Sequence, residues 1–486
     1  MHLSRAADHG TITRRVTDHL PDSVAEALAL AADLTSAPTD PAAPGDPAAP
    51  GAPAAPADPA APGAPTTTAA TPTTAATPTA TPTPVPGTGH TADLWRALAA
   101  LAAHDVALAR AVEPHLDAVA ILTQAADAAR TADAGLGRDT TGEATGVVLP
   151  ARASSSGFTW GVFAAEAPPG AAPRLEARLT PPTTAEGDEE ARPTSPTTAP
   201  DAAHPAPGPV ADAPAPTWLL SGEKPWCSLA GELDGALVTA WVGDERRLFA
   251  VDLRQPGVEV VAGAWHARGM AEIPSGPVRF DEVEAFPVGA PGWYLRRAGF
   301  EWGGIGVASC WYGGAVGVAR ALHAAAVRRD PDPWLLRALG VVDERLGDAR
   351  RALAEAAGLV DAGAASGAEG RLLAKRVRGT VAHAAEDVLA AVAHALGPAP
   401  LASDAAHAKR VADLELYLRQ HHAEKDDASL GGAVRDRALA TAAPSTPAPA
   451  AAPGDAAAAP AAPAAAPGDA PAAPDAAPAT TGVDPW

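Results

Sequence analysis

Two stretches of this sequence carry residue types that could do chemistry. In Trp226-Cys227-Ser228 a large flat aromatic stands two residues before a hydroxyl. At a strand end, that pair sets a stacking surface beside a hydrogen-bond donor, which suits a flat heterocyclic cofactor. The alternative is a core aromatic and a turn hydroxyl. In the second stretch, RVADLELYLRQHHAEKD, Val411, Leu414 and Leu418 mark one helical face. The same stepping reaches His421 and then Glu424, while His422 falls on the flank. His421 and Glu424 are therefore the candidate catalytic groups, either one a proton acceptor. The structural alternative is a buried histidine paired with a carboxylate such as Glu424. Two adjacent histidines diverge on a helix, which argues against a metal site.

The elements that must hold these residues alternate in character along the chain. Thr11 to Leu34 is weakly helical, with Pro21 opening its better half. A helix starts near Thr91, with Leu94, Leu98, Leu101, Leu108 and Val112 on one face and Asp105 in the missing step, and a second runs from Pro114 to Ala129. From Val147 the pattern turns to strand. Phe158–Phe163 is aromatic and β-branched, Glu166 follows it, and Ala172–Leu179 forms one further strand. Trp218 re-enters the sheet, with a turn at Ser221-Gly222 and a strand over Ala236–Val242. Short strands over 247–252, 258–261, 265–266, 278–280 and 283–286 complete an antiparallel β domain or small barrel. After Trp293 four helices follow. The first is glycine-rich around Ile305–Ala319, which costs stability unless another backbone or a flat ligand approaches closely. The second repeats 4-3-4-3 from Leu335 to Val360, the third spans Leu372–Leu396, and the fourth spans about Ser403–Leu430; together they predict a bundle.

Composition sets the boundaries. The 486 residues include 52 Pro and 45 Gly, many of the prolines gathered in Ala/Pro/Thr tracts that cannot bury enough apolar surface to order themselves. The reading is a helical N-terminal segment (1–36), a disordered linker (37–90), a helical part (91–146), a β domain (147–179 and 217–292) interrupted by a disordered insertion (180–216), a C-terminal bundle (293–432) and a disordered tail (433–486). A net charge of −21 argues against nucleic acid, which needs clustered Lys and Arg. No apolar run is long enough for a membrane span or a signal h-region. The two cysteines, Cys227 and Cys310, lack metal-type spacing, which fits a reducing cytoplasm.

On these residues the chain resembles the acyl-CoA dehydrogenase family of flavoproteins. The family pattern Leu-x-Gly-x-Lys-x-Trp-Ile-Thr is matched by Leu220-Ser221-Gly222-Glu223-Lys224-Pro225-Trp226-Cys227-Ser228. LFAVDLRQPGVEV, HARGM and VRFDEVEAF then follow in the family's order. The family loop Thr-Glu-x-x-x-Gly-Ser-Asp is met by Glu166 and Gly170, but Ala165, Ala171 and Ala172 replace its Thr, Ser and Asp. Gly303-Gly304 stands for its Gly-Arg pair. The resemblance implies an α+β multidomain fold with a reduced helical N-terminal part, an antiparallel β middle domain and a C-terminal four-helix bundle. It implies flavin adenine dinucleotide (FAD) contacted by Glu166, Trp226 and Ser228. It further implies oxidation of the CH–CH bond of an acyl-CoA or acyl-carrier thioester, electron-transfer flavoprotein or another acceptor as partner, and a homo-oligomer. The family's base sits in a Tyr-Glu-Gly setting that this chain lacks, and the register puts His421 near its place. The alternatives are a flavin-dependent monooxygenase of the same fold, with His421 stabilising a flavin–oxygen intermediate, or a non-catalytic scaffold that has lost the catalytic Glu.

Overall fold

A computed structural model describes residues 11–35, 85–134, 147–167, 174–180, 217–328 and 330–442. The bulk of the expected disordered tracts lies outside these residues, as do Gly170, Ala171 and Ala172.

Helices open the chain: α1 (Thr11–Asp18), α2 (Val24–Thr35), α3 (Thr91–His104) and α4 (Val106–Ala134). The first is fastened to α3 by Asp93, whose carboxylate accepts from the Ile12 and Thr13 amides at 2.9 and 3.2 Å and from the Thr13 hydroxyl at 2.5 Å. Asp105 does not continue the α3 face as its spacing predicts. It takes an extended conformation and caps α4, accepting from the amides of Ala107 and Leu108. A side-chain oxygen at the cap satisfies amides that the first turn leaves open. The predicted start at Pro114 is likewise displaced, since that proline lies inside α4.

The strands are β1 (Trp160–Phe163), β2 (Glu176–Thr180), β3 (Thr217–Lys224), β4 (Gly235–Val242), β5 (Glu245–Asp252), β6 (Val258–Val260) and β7 (Val278–Val288). Around the sheet β4 pairs with β5, β5 with β7, β7 with β3 and β3 with β2, all antiparallel. The ring closes where Glu176 of β2 meets Trp241 of β4, parallel, next to β1, which also runs parallel on that edge. β6 adds to β7. The sheet is thus a small barrel with two parallel contacts rather than wholly antiparallel. The predicted turn at Ser221-Gly222 is a bulge within β3, where the register against β7 slips between Leu220 and Gly222. Gly222 sits at φ +126°, and a Cβ there would stand 2.7 Å from the Arg174 carbonyl oxygen. Only glycine adopts that backbone against so close a neighbour. The predicted strand at Trp265-His266 is irregular chain.

The rest is helical: α5 (Trp293–Arg296), α6 (Gly299–Arg328), α7 (Pro333–Asp361), α8 (Gly367–Leu396), α9 (Ala399–Ser403), α10 (Ala405–Tyr417) and α11 (Glu424–Ala442). Asp332 caps α7 through the Trp334 and Leu335 amides, with Pro333 at its first position, and Gly363 and Gly397 follow α7 and α8 at positive φ. α6, α7 and α8 pack together as predicted, and the 4-3 seam of α7 is buried except for Leu339, which is half-buried. α3 also lies on α6: a Cβ at Gly313 would meet the Ala99 carbonyl oxygen at 2.2 Å, and one at Gly317 that of Ala103 at 3.0 Å. Those two α6 glycines therefore serve a close helix–helix approach. The fourth helix of the bundle is a correction. It breaks into α10, a 3-10 turn over Leu418–Gln420, an extended His421 and a left-handed Ala423, before α11 starts and runs on to Ala442. Among the described residues no helix is long and apolar enough to cross a membrane.

Candidate functional site

A cavity of about 430 Å³ lies where α4, the barrel and α10 meet, within the size range of small-molecule sites. Trp226, Ser228 and Glu166 all line it. The indole of Trp226 is 60% exposed and stands edge-on to Trp265, ring centres 6.4 Å apart. The Ser228 hydroxyl shares a 2.7 Å hydrogen bond with that of Ser275 and accepts from Arg110 at 3.2 Å. Of five described non-glycine residues at positive φ, Trp226 and Met270 line the cavity, Leu229 follows Ser228, and Ala423 follows the lining residue His422. Each such backbone costs roughly 1–3 kcal/mol and persists where the surroundings impose it, often at a ligand site.

Glu166 is committed elsewhere. Its carboxylate accepts from Lys224 Nζ at 2.6 Å and from the Thr239 hydroxyl at 3.1 Å, with Arg246 at 3.7 Å. Lys224 is wholly buried; burial drives its pKa down and the Glu166 charge opposes that. The Lys of the Leu-x-Gly-x-Lys pattern thus locks the loop after β1 to β3 and β4. Cys227 is a buried free thiol whose pKa burial pushes up.

His421 and Glu424 are not brought together. The helix break buries His421 beside His383 and Trp311, ring centres 5.7 and 6.3 Å away, with its Nε2 3.9 Å from Asp426. Burial lowers its pKa, opposed first by Asp426. Glu424 is exposed at the first position of α11, where an anion suits the helix dipole. The carboxylate beside His421 is therefore Asp426 and not Glu424, the one the spacing suggested, and Asp426 also accepts from the His422 amide. His421 lines an adjoining groove of about 1150 Å³ between α6, α8 and α11, whereas His422, Gln420 and Asp117 line both spaces.

Glu113 and Asp117 also line the cavity, and neither is among the residues that the sequence singles out. Glu113, 8% exposed, pairs with Arg110 at 3.2 Å on the next turn of α4. Burial raises its pKa to about 7, against the Arg110 charge. Arg110, Glu113 and Asp117 stand at i, i+3 and i+7, one face of a helix otherwise rich in Ala, Val and Leu. That spacing was the available signal. Asp105, Glu272 and Asp413 also converge within metal-ligand reach, but the Lys409 ammonium sits among them at 2.9, 2.7 and 2.5 Å. There the lysine is the cation.

No family model matches the sequence, and no curated protein does either. Solved structures do match. KijD3, in complex with FMN and dTDP-3-amino-2,3,6-trideoxy-4-keto-3-methyl-D-glucose, aligns at TM-score 0.51 and 19% identity, over 72% of this chain and 79% of its own. FMN-bound TdsC from Paenibacillus sp. A11-2 aligns at TM-score 0.53 and 16% identity, over 71% and 84%. An acyl-CoA dehydrogenase from Slackia heliotrinireducens DSM 20476 matches at TM-score 0.48 and 15% identity, over 72% and 82%. The chain adopts the acyl-CoA dehydrogenase-like fold in its general outline.

Proposed function

We propose that this protein is a flavin-dependent oxidoreductase whose flavin lies in the cavity lined by Trp226 and Ser228. The observation that carries this reading is the concentration of left-handed, non-glycine backbone around that cavity, at Trp226, Leu229 and Met270. It supports a preformed site in which an exposed indole offers a stacking face beside the Ser228–Ser275 hydroxyl pair. The FMN bound by KijD3 and TdsC supports a flavin, and makes the mononucleotide the form to test beside FAD. When bound, the flavin supplies the redox chemistry; the protein orients and shields it. Arg110 holds the Ser228 hydroxyl, while the Lys224–Glu166 pair fixes the loop behind it.

Two forms of that chemistry fit the fold. Dehydrogenation of an acyl thioester, with an electron-transfer flavoprotein as acceptor and a homo-oligomeric assembly, needs a carboxylate at the substrate; Glu113 lines the cavity and Glu424 does not. Monooxygenation is the second form, supported by TdsC, a dibenzothiophene monooxygenase that aligns at TM-score 0.52. A cytoplasmic setting accords with two buried free thiols. Purified protein mixed with FMN or FAD is expected to retain the flavin through gel filtration and quench its fluorescence. Anaerobic bleaching by acyl-CoA supports the dehydrogenase form, and incorporation of one atom of O2 into dibenzothiophene by the reduced complex supports the monooxygenase form. A colourless protein that binds neither flavin refutes both and leaves the scaffold reading.

A further inference from the structure

The last helix is attached unlike the other long ones. Over residues 424–441 of α11 no side chain is buried, and none joins the hydrophobic core. Its ties to α8 are polar and open to solvent. His383 Nε2 lies 3.5 Å from Asp427, Lys375 Nζ donates to the Ser429 hydroxyl at 2.6 Å, and Arg437 Nε lies 3.2 Å from Glu369. The α8 numbers fall as the α11 numbers rise, so the two helices run antiparallel and the ties form one row along them. Exposed pairs of this kind hold weakly, and an element with few buried apolar contacts opens locally at low cost. One face of α11, with Ser429, Ala433, Arg437 and Thr441 at steps of four, walls the groove of about 1150 Å³. That groove shares Asp117, Gln420 and His422 with the cavity of Trp226.

We propose that α11 is a lid, hinged at His422–Ala423, that swings off α8 to admit a ligand to the groove and so to the neck it shares with the cavity. The chain before the hinge is fixed: Arg378 donates to the Gln420 carbonyl at 3.0 Å, and His421 packs against Trp311 and His383. Immediately after it, Ala423 stands at φ +47°, a left-handed backbone that strains a residue with a Cβ. A few element-terminal residues that absorb a backbone change are what a hinge needs. Ala440 lies 17 residues beyond Ala423, about 25 Å along the helix, so a swing of about 20° carries it about 9 Å. The lid regulates access to the site read above as a flavin site. It rests on the α8–α11 geometry alone, and its test uses no flavin, so either reading can fail without the other.

The test places spin labels on the full-length protein at Ala368→Cys and Ala440→Cys, which line the far end of the groove from α8 and α11. Cys227 and Cys310 are buried and stay unlabelled. Electron paramagnetic resonance is expected to give a main short distance and a minor long one. Glu369→Gln, Lys375→Met and His383→Gln should each raise the long-to-short ratio about two- to fivefold. Raising salt from about 0.05 to 0.5 M should raise it in the wild-type background and less so in the triple variant. Entry into the groove is read by diethyl pyrocarbonate modification of His421, located by peptide mass spectrometry. Joining the two cysteines with a bismaleimide should slow that modification, and the triple variant should speed it in proportion to the open fraction. One distance that neither the variants nor salt alters overturns the lid. So does a wild type already open and indifferent to the three ties, or a His421 rate unchanged by the cross-link. A long-distance fraction that falls with protein concentration would make α11 an interface between copies and overturn it as well.

Discussion

Glu113 and His115 lie two residues apart on α4, and their ionisations act on stability in opposite directions. His115 is 1% exposed; its Nδ1 accepts from the Trp160 amide at 3.1 Å, so Nε2 carries the proton and donates to the Thr35 hydroxyl at 2.8 Å. Both ring nitrogens are used only while the ring is neutral, and burial lowers its pKa from 6.5 to about 4. A folded value below the unfolded one gives stability that is present above pH 6.5 and lost as pH falls through 4, a span of roughly 3 kcal/mol. Glu113 is raised from 4.5 to about 7, so its contribution is full below pH 4.5 and lost as pH rises through 7, again roughly 3 kcal/mol. In the wild type the two slopes nearly cancel, and a substitution at either site unmasks the other.

The assay is urea unfolding followed by tryptophan fluorescence at closely spaced pH values, for wild type, Glu113→Gln and His115→Gln. Taking variant minus wild type removes every other titrating group and any constant cost of the substitution. From pH 4 to 8 (roughly the window of both ionisations), that difference is expected to rise by about 3 kcal/mol for Glu113→Gln and to fall by about as much for His115→Gln. Two flat difference curves, or two of the same sign, would refute the reasoning, because burial would then not hold the two groups away from their ordinary ionisations in opposite directions.

Other substitutions test the packing that positions the site. Lys224→Met removes the 2.6 Å partner of the Glu166 carboxylate and leaves it Thr239 and Arg246, which should cost about 1–3 kcal/mol; the double variant with Glu166→Gln should recover much of it, read from urea midpoints. Gly313→Ala drives a methyl into the Ala99 carbonyl and should cost about 1–3 kcal/mol. Gly340→Ala, in α7 with no neighbour within 4 Å of the new Cβ, should instead stabilise by about 0.5–1 kcal/mol. Should the two glycines behave alike in thermal melts, helix propensity rather than the α3–α6 approach would set their value.

The sequence made the long elements readable and the breaks unreadable. The α7 seam could be counted because eight positions repeat with one period, and every one of them is at least half-buried. His421 and Glu424 were placed on a common face by extending that same logic past Tyr417, where the helix stops. Nothing in periodicity marks the stop: it is made by tertiary contacts, with Arg378 of α8 donating to the carbonyls of Gln420 and Gly304 and His421 turned in against Trp311. Asp105 misled in the same way. It fits an apolar stripe as a skipped step, yet a short carboxylate is also a cap, and the cap won because Lys409 holds its second oxygen. Glu113 went unnoticed because charges inside a helix are usually solvated, and only packing shows which of them face inward.

α4 explains why the chemistry gathers where it does. Asp105 at its start meets Lys409 of α10, and His115 ties it to Thr35 of α2 and to β1. Asp117 and Gln124 take the Arg297 guanidinium that precedes α6, at 3.6 and 2.9 Å. A helix anchored to the N-terminal helices, the barrel and the C-terminal helices has little freedom to rotate about its axis. One face of it must then lie at the junction of all three, where the cavity is, and Arg110 and Glu113 are on that face. Burying an ion pair at such a junction is expensive unless the geometry is fixed. The same anchoring that fixes it also keeps the Glu113 carboxyl out of bulk water, which is the condition for its raised pKa. Loosening any one anchor, for example through Thr35→Ala or Gln124→Ala, should therefore draw the Glu113 ionisation back toward 4.5 without touching Glu113 itself.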